Sequence, residues 1–252
     1  MYTNFKKSLG QNFLKDEHYI QKIVDCVHYD DISNFLEIGP GDGQLSEKII
    51  QLSQPIKLIE IDQNLNQILN SRFSKYKNVD VINDDVLKLD LKLLSNSNTI
   101  ILGNLPYNIS SQIIFKVLES NIEYKYAIFL IQKELADRFI PKENKSTKLS
   151  LQSNYFADLE KIFDIPPDAF YPVPKVNSTL VKITPNRKKY NLSEYNKLKT
   201  ILSACFANPR KQLASPLKKI FPSMPSFSFS LTNRPEDLAL DHYFEILSKY
   251  EK

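Results

Sequence analysis

The sequence has no tryptophan, only two cysteines and only three histidines among 252 residues. Each scarcity excludes something. Cys26 and Cys205 lie far apart in apolar surroundings, which gives no support to a disulfide framework or a thiolate metal centre. His18, His28 and His242 fall in no paired ligand spacing, so no catalytic metal is expected. No apolar run approaches the roughly 20 residues that a membrane span needs, and the opening stretch from Met1 to Lys7 lacks the apolar core of a signal peptide. The expectation is a cytoplasmic chain without membrane contact.

What is present is ordinary for a globular protein able to bury a core: 42% hydrophobic and 25% charged residues. The length suits one large domain with a small appendage. A net charge of +4 permits nucleic-acid binding without demanding it. The basic residues gather in Lys6-Lys7, Arg187-Lys188-Lys189, Arg210-Lys211 and Lys218-Lys219, any one of which alone reads as a solvated face.

Apolar spacing predicts a helix over residues 18–28. Strand-like runs follow at 35–38, 56–61, 79–83, 99–102, 126–131, 162–165 and 179–183, with helical segments at 45–52, 65–73, 111–118, 134–139 and 149–156 between most of them. That alternation predicts a doubly wound α/β sheet with helices on both faces. Pro166, Pro167, Pro172 and Pro174 forbid a regular helix in the last part of this region. Beyond Pro185 the pattern turns helical, at 195–206, 212–221 and 241–250. The expected domains are 1–186, holding the catalytic site, and 187–252, a small helical domain.

The first strand enters Glu37-Ile38-Gly39-Pro40-Gly41-Asp42-Gly43, where glycines allow a sharp bend and close approach of a ligand. The next strand ends at Glu60-Ile61-Asp62, an acid at the distance expected of a ribose-binding carboxylate. The turn is too short for a pyrophosphate site and Glu37 adds negative charge beside it. S-adenosylmethionine, which carries a positive sulfonium and no phosphate, fits better. Asp85, after the third strand, either accepts from the cofactor's adenine amine or caps a turn. After the fourth strand stands Gly103-Asn104-Leu105-Pro106-Tyr107-Asn108-Ile109-Ser110. An adenine amine is a weak nucleophile, so geometry matters more than a strong base. The side-chain oxygen of Asn104 and the carbonyl of Leu105 can each accept one amine hydrogen. Pro106 stiffens the turn, and Tyr107 offers a ring to a flipped base. A plain turn is the competing reading.

These segments occur together with Lys7-Ser8-Leu9-Gly10-Gln11-Asn12-Phe13-Leu14, Leu130-Ile131-Gln132-Lys133-Glu134, the run from Pro167 to Val176, and Arg234-Pro235-Glu236-Asp237-Leu238. In that order the chain resembles the KsgA/RsmA family of rRNA adenine dimethyltransferases from Lys7 to its C-terminus. The resemblance implies a class I methyltransferase fold with a seven-stranded mixed sheet. It implies dimethylation of two adjacent adenosines in a hairpin near the 3′ end of 16S rRNA, in immature small ribosomal subunits, by a monomer. By position it also implies that Asn12 and Leu14 close the cofactor pocket and that Gly39, with Gly41 of the same turn, lines it. Glu60 would hold the ribose, Asp85 the adenine, and Asn104 both cofactor and target. Phe170 would be a second aromatic at the base, or simply a core residue.

Two departures touch RNA binding. The family's Tyr-Gly-Arg-Leu-Ser reads Ser146-Thr147-Lys148-Leu149-Ser150 here, and its Arg-Arg-Lys reads Pro209-Arg210-Lys211, with Ala214-Ser215 in place of a later Arg-Asn. Fewer guanidiniums mean weaker bidentate phosphate contacts. Lys6, Lys7, Lys148, Arg210 and Lys211 are the candidate RNA contacts. The competing readings are an Erm-type 23S rRNA adenine dimethylase and a non-catalytic small-subunit assembly factor.

Overall fold

The computed structural model describes residues 11–28, 31–141, 145–186 and 191–250. The chain divides into two compact units, one of residues 1–136 and 159–185, the other of residues 137–158 and 186–252.

The first unit is built on a seven-stranded sheet. In chain order the elements up to the last strand are β1 (Phe13–Leu14), α1 (Glu17–Asp25), β2 (Asn34–Ile38), α2 (Gln44–Ile50), β3 (Ile56–Glu60), α3 (Gln63–Phe73), β4 (Val79–Asn83), β5 (Thr99–Asn104), α4 (Ser110–Glu119), β6 (Tyr126–Gln132), α5 (Lys133–Phe139), α6 (Lys148–Asn154), β7 (Ala157–Ile165), β8 (Phe170–Tyr171) and β9 (Ser178–Pro185). The large sheet has the order β4-β3-β2-β5-β6-β9-β7. From β4 to β6 the pairs are parallel, and β9 joins β6 antiparallel. This is the expected mixed, doubly wound sheet.

The chain winds outward in two directions from its middle, β2 to β4 one way and β5 to β6 the other. Right-handed crossovers then put α2 and α3 on one face and α4 on the opposite face. Parallel strands covered on both sides must be apolar throughout. Accordingly Phe35, Leu36, Ile100, Ile101, Leu102 and Phe129 are all fully buried. One face of the sheet packs with α1, α2 and α3 through Ile20, Ile23, Ile49, Leu69 and Phe73. On α4 the buried residues Ile113, Ile114, Val117 and Leu118 recur at helical spacing.

Composition did not predict β1 and β8, two-residue strands that pair with each other, Phe13 opposite Tyr171 and Leu14 opposite Phe170. Strands so short leave no periodic signature. The main sheet's β7 also begins at Ala157, five residues before the expected start.

The second unit holds α6, α7 (Leu192–Phe206), α8 (Ala214–Ile220) and α9 (Leu240–Tyr250). Residues 137–158, assigned on sequence to the first domain, pack by compactness with the C-terminal residues. The reasons are visible in the contacts. Tyr155 and Phe156 pack against Tyr195 of α7, the first tilted and the second edge-on, with ring centroids 5.2 and 4.5 Å away. Lys145 bridges Glu236 and Asp237 at 2.8 Å each. The unusual Ser146-Thr147-Lys148-Leu149-Ser150 segment is a helix start: Thr147 accepts from the Ser150 N–H at 3.0 Å, and the Ser150 hydroxyl accepts from the Thr147 N–H at 2.9 Å, a capping box for α6.

Candidate active site at the switch point of the sheet

In open α/β sheets ligands sit beyond the carboxyl ends of the strands, where the winding direction reverses. Here that point lies between β2 and β5. A cavity of about 280 Å³ opens there, near the lower end of the roughly 300–1,000 Å³ typical of small-molecule sites. Its walls come from four successive strand ends: the glycine turn after β2, Glu60 and Ile61 at the end of β3, Asp84 and Asp85 after β4, and Asn104 to Pro106 with Asn108 and Ile109 after β5. Gln11 to Leu14 complete them.

The glycine turn is shaped by backbone conformations that side chains resist. Gly39, Gly41 and Gly43 have φ of +68°, +62° and +83°, the left-handed region that glycine occupies at little cost. Space is also short at Gly41, where a Cβ would lie 2.9 Å from the Phe13 ring. The turn is held from below by Glu60, whose carboxylate accepts from the N–H groups of Gly41 (3.1 Å) and Asp62 (2.9 Å). Arg72 of α3 holds it from the side by donating to the Asp42 carbonyl and pairing with Glu47 of α2.

Glu37 and Glu60 are almost wholly buried. Desolvation is the main cause that pushes each carboxyl up to about 7. Hydrogen bonds oppose that push: the Ser46 hydroxyl, 2.6 Å from Glu37, and the backbone N–H groups of Asp62, Gly41 and Ile61 on Glu60. Asp42, Glu60, Asp84 and Asp85 all line the cavity, and among the described lining residues there is no lysine or arginine. Such a wall favours a cationic ligand and disfavours a pyrophosphate. Asp85 lines the cavity, and its carboxylate caps the following turn by accepting from the Leu87 N–H at 3.0 Å.

Asn104 ends β5 with its amide in a defined orientation. Its Nδ2 donates to the Asn12 carbonyl at 2.7 Å, which leaves Oδ1 as an acceptor in the cavity wall. Leu105 is anchored by its N–H to the Leu130 carbonyl at 3.1 Å. The Pro106 carbonyl accepts from the Ile109 N–H and the Ser110 hydroxyl, at 3.2 and 2.7 Å, so the turn into α4 is tied down. The geometry is that of a small-molecule site with the Asn104 amide held in one orientation in its wall.

Residues 2–249 match the family described as ribosomal RNA adenine dimethylase. The chain belongs to that family. It is 37% identical over 264 residues to a ribosomal RNA small subunit methyltransferase A from Pelagibacter ubique, covering 100% of this chain and 98% of the relative. In fold it is similar to a dimethyladenosine transferase from Plasmodium falciparum, with a TM-score of 0.79 at 23% identity over 95% of this chain and 97% of that one. It is also similar to the 23S rRNA methyltransferase ErmE, with a TM-score of 0.70 at 19% identity over 95% of this chain and 100% of that one.

In this family member the cavity brings together nine of the residues picked from the sequence: Asn12, Leu14, Gly39, Gly41, Glu60, Asp85, Asn104, Leu105 and Pro106. It does not bring in Tyr107 or Phe170. Tyr107 is half-buried beside the cavity, its hydroxyl 2.7 Å from the Ser178 hydroxyl. Phe170 is 2% exposed and packs in the core cluster with Leu14, Ile165 and Ala169, so its ring presents no open face. Pairing in the β1–β8 ladder explains this: Phe170 shares a face with buried Leu14. Lys148 starts α6, and Arg210 and Lys211 are exposed after α7; Lys6 and Lys7 lie outside the described residues. Sequence reasoning missed Phe13 and Ile61, the latter 53% exposed although apolar. An isoleucine between two acids at a strand end was the available signal.

Proposed function

We propose that this chain transfers methyl groups from S-adenosylmethionine to the exocyclic 6-amino groups of two adjacent adenosines in a hairpin near the 3′ end of 16S rRNA. The observation that carries the chemistry is the fixed amide of Asn104, with its nitrogen committed to Asn12 and its oxygen left to accept. Relatives similar along the whole chain bear the name of the small-subunit enzyme, which favours that target over the 23S rRNA of the Erm-type reading.

The residues present fit the cofactor. Glu60 is placed to accept from ribose hydroxyls, Ile61 offers an apolar face to adenine and Asp85 an acceptor to its amine. The backbone at Gly39 and Gly41 can approach the amino-acid end, with Asn12 and Leu14 closing over it. Four carboxylates suit a ligand bearing a sulfonium and an ammonium. When bound, S-adenosylmethionine supplies an electrophilic methyl group on positively charged sulfur.

The chain's own groups then orient the target. Asn104 Oδ1 and the Leu105 carbonyl each accept one amine hydrogen, so that the nitrogen lone pair turns out of the ring plane toward the methyl group. No strong base is required of the wall. A flipped adenine stacks on Tyr107, while Phe170 would need to be uncovered to share that role. Lys148, Arg210 and Lys211 provide phosphate contacts to rRNA in immature small subunits, and the chain acts as a monomer.

The test is methyl transfer to immature small subunits by the purified protein, with modified adenines mapped in the rRNA. Wild type should dimethylate two adjacent small-subunit adenines, and Asn104→Ala should lose on the order of a hundredfold in rate with its fold intact. Methylation confined to large-subunit rRNA would transfer the assignment to the Erm-type activity. Near wild-type turnover by Asn104→Ala would remove the amine-orienting role.

A further inference from the structure

Tyr107 sits in a turn, outside any helix or strand, yet the proposed stacking requires its ring to hold one orientation. The backbone around it is secured by the Pro106 carbonyl, which accepts from Ile109 and Ser110. That leaves rotation of the side chain itself. Its one polar tether among the described residues is the 2.7 Å contact between its hydroxyl and the Ser178 hydroxyl.

Ser178 is well placed to be a fixed point. It is the first residue of β9, fully buried, and lies opposite Gln132 in the antiparallel ladder with β6. The strand start is pinned on both sides of it. The Lys133 N–H donates to the Asn177 carbonyl at 2.9 Å. The Thr179 hydroxyl donates to Asp164 at 2.7 Å, and Asp164 pairs with Lys133. The Gln132-Lys133-Glu134 segment, which contributes nothing to the cavity wall, thus anchors the strand end that carries Ser178. Burial pushes the Tyr107 phenol up, so it remains a hydroxyl at neutral pH.

We infer that Ser178 is a positioning residue for the reaction, acting through Tyr107: it fixes the phenol end of the ring on which the target adenine stacks. This rests on the function proposed above. A ring tethered at both ends is set before the base arrives, whereas an untethered one must be ordered during binding, and small errors of placement cost rate.

The experiment is a double-mutant cycle on methyl transfer with Tyr107→Phe, Ser178→Ala and the pair, at saturating cofactor, with cofactor affinity and thermal stability measured on each protein. Each single change should lower kcat by roughly three- to tenfold, as expected for one hydrogen bond. The double variant should be no worse than either, and cofactor affinity should not change. Additive losses, or wild-type turnover in either single variant, would overturn the inference. Tyr107→Phe removes the same contact without touching β9. If Ser178→Ala fails to fold, a loss in kcat for Tyr107→Phe at unchanged cofactor affinity supports the tether, and wild-type kcat refutes it. Absence of transfer by the wild-type protein would instead defeat the proposed function, and with it the reaction that Ser178 is inferred to serve.

Discussion

Two carboxylates that burial would rather keep neutral stand beside the cavity, and their titration is a property this site should display. Glu37 and Glu60 both have carboxyls raised to about 7 in the folded chain, chiefly by desolvation. A carboxyl raised on folding favours the native state when protonated. Its contribution is therefore full below the unfolded value of 4.5 and is lost as the pH climbs through about 7. Glu37 separates this effect from ligand contact, because it lies under the glycine turn and not in the cavity wall. Glu37→Gln keeps an acceptor for the Ser46 hydroxyl and cannot ionise. Its melting temperature relative to wild type, measured without cofactor, should rise from pH 4.5 to 7 and level off above, as the wild-type chain comes to bear a buried charge. A difference independent of pH would show that Glu37 does not titrate in that window. At Glu60 the same desolvation has a use: a carboxylate stripped of water, already holding the turn through Gly41, is a strong acceptor for hydroxyls.

The two-residue strand β1 shows how much of the site depends on an element too short to read from periodicity. Phe13 packs on Gly41, the Asn12 carbonyl takes the Asn104 amide, and the ladder to β8 ties this stretch to the loop carrying Tyr171. One segment thus touches the glycine turn and Asn104 at once. Gly41→Ala should disturb both through β1. The alanine would have to take φ near +62°, which costs on the order of 1 kcal/mol or more, and its Cβ would push on the Phe13 ring. Cofactor affinity should fall at least tenfold and the melting temperature by several degrees, which calorimetric titration and a thermal scan would read. Unchanged affinity would mean that the turn tolerates a side chain and that β1 can move freely. The strands of the large sheet were legible in the sequence because burial on both faces writes continuous apolar runs, as in Ile100 to Leu102. So was the convergence of Asn104, Glu60, Gly39 and Gly41 on one cavity, because all of them stand at strand ends. Phe170 was legible only as an open choice between base and core, and it lies in the core. Its burial follows from its register against Leu14, and a register between two short strands leaves no trace in composition. Ser178 was equally hidden, since a serine at a strand start gains its meaning only from a ring some seventy positions away.

At the scale of the molecule the charge is divided between the two units. Of 33 Lys and Arg and 29 Asp and Glu, the unit of residues 137–158 and 186–252 carries 16 and 9, and the unit with the cavity carries 17 and 20. The modest overall charge therefore conceals a basic body and a mildly acidic one. Affinity for an RNA backbone rests on cations whose counterions are released, so the basic unit is where docking to the subunit should reside. Within it Lys148, Arg210 and Lys211 form no ion pair among the described residues, and Arg210 and Lys211 are exposed. Each phosphate contact should contribute little alone and add to the others. Replacing Arg210 and Lys211 together by Gln should weaken binding to immature small subunits and flatten the dependence of log K on log salt by roughly 1–2 units, two phosphate contacts' worth. Cofactor affinity should stay as it was, because every residue lining the cavity belongs to the other unit. Sedimentation of wild-type and doubly substituted protein with immature subunits across a salt series measures the slope directly. A parallel slope at every salt concentration would show that these two cations meet no phosphate. Docking would then have to be sought among the remaining basic residues of the same unit, beginning with Lys148, Lys218 and Lys219.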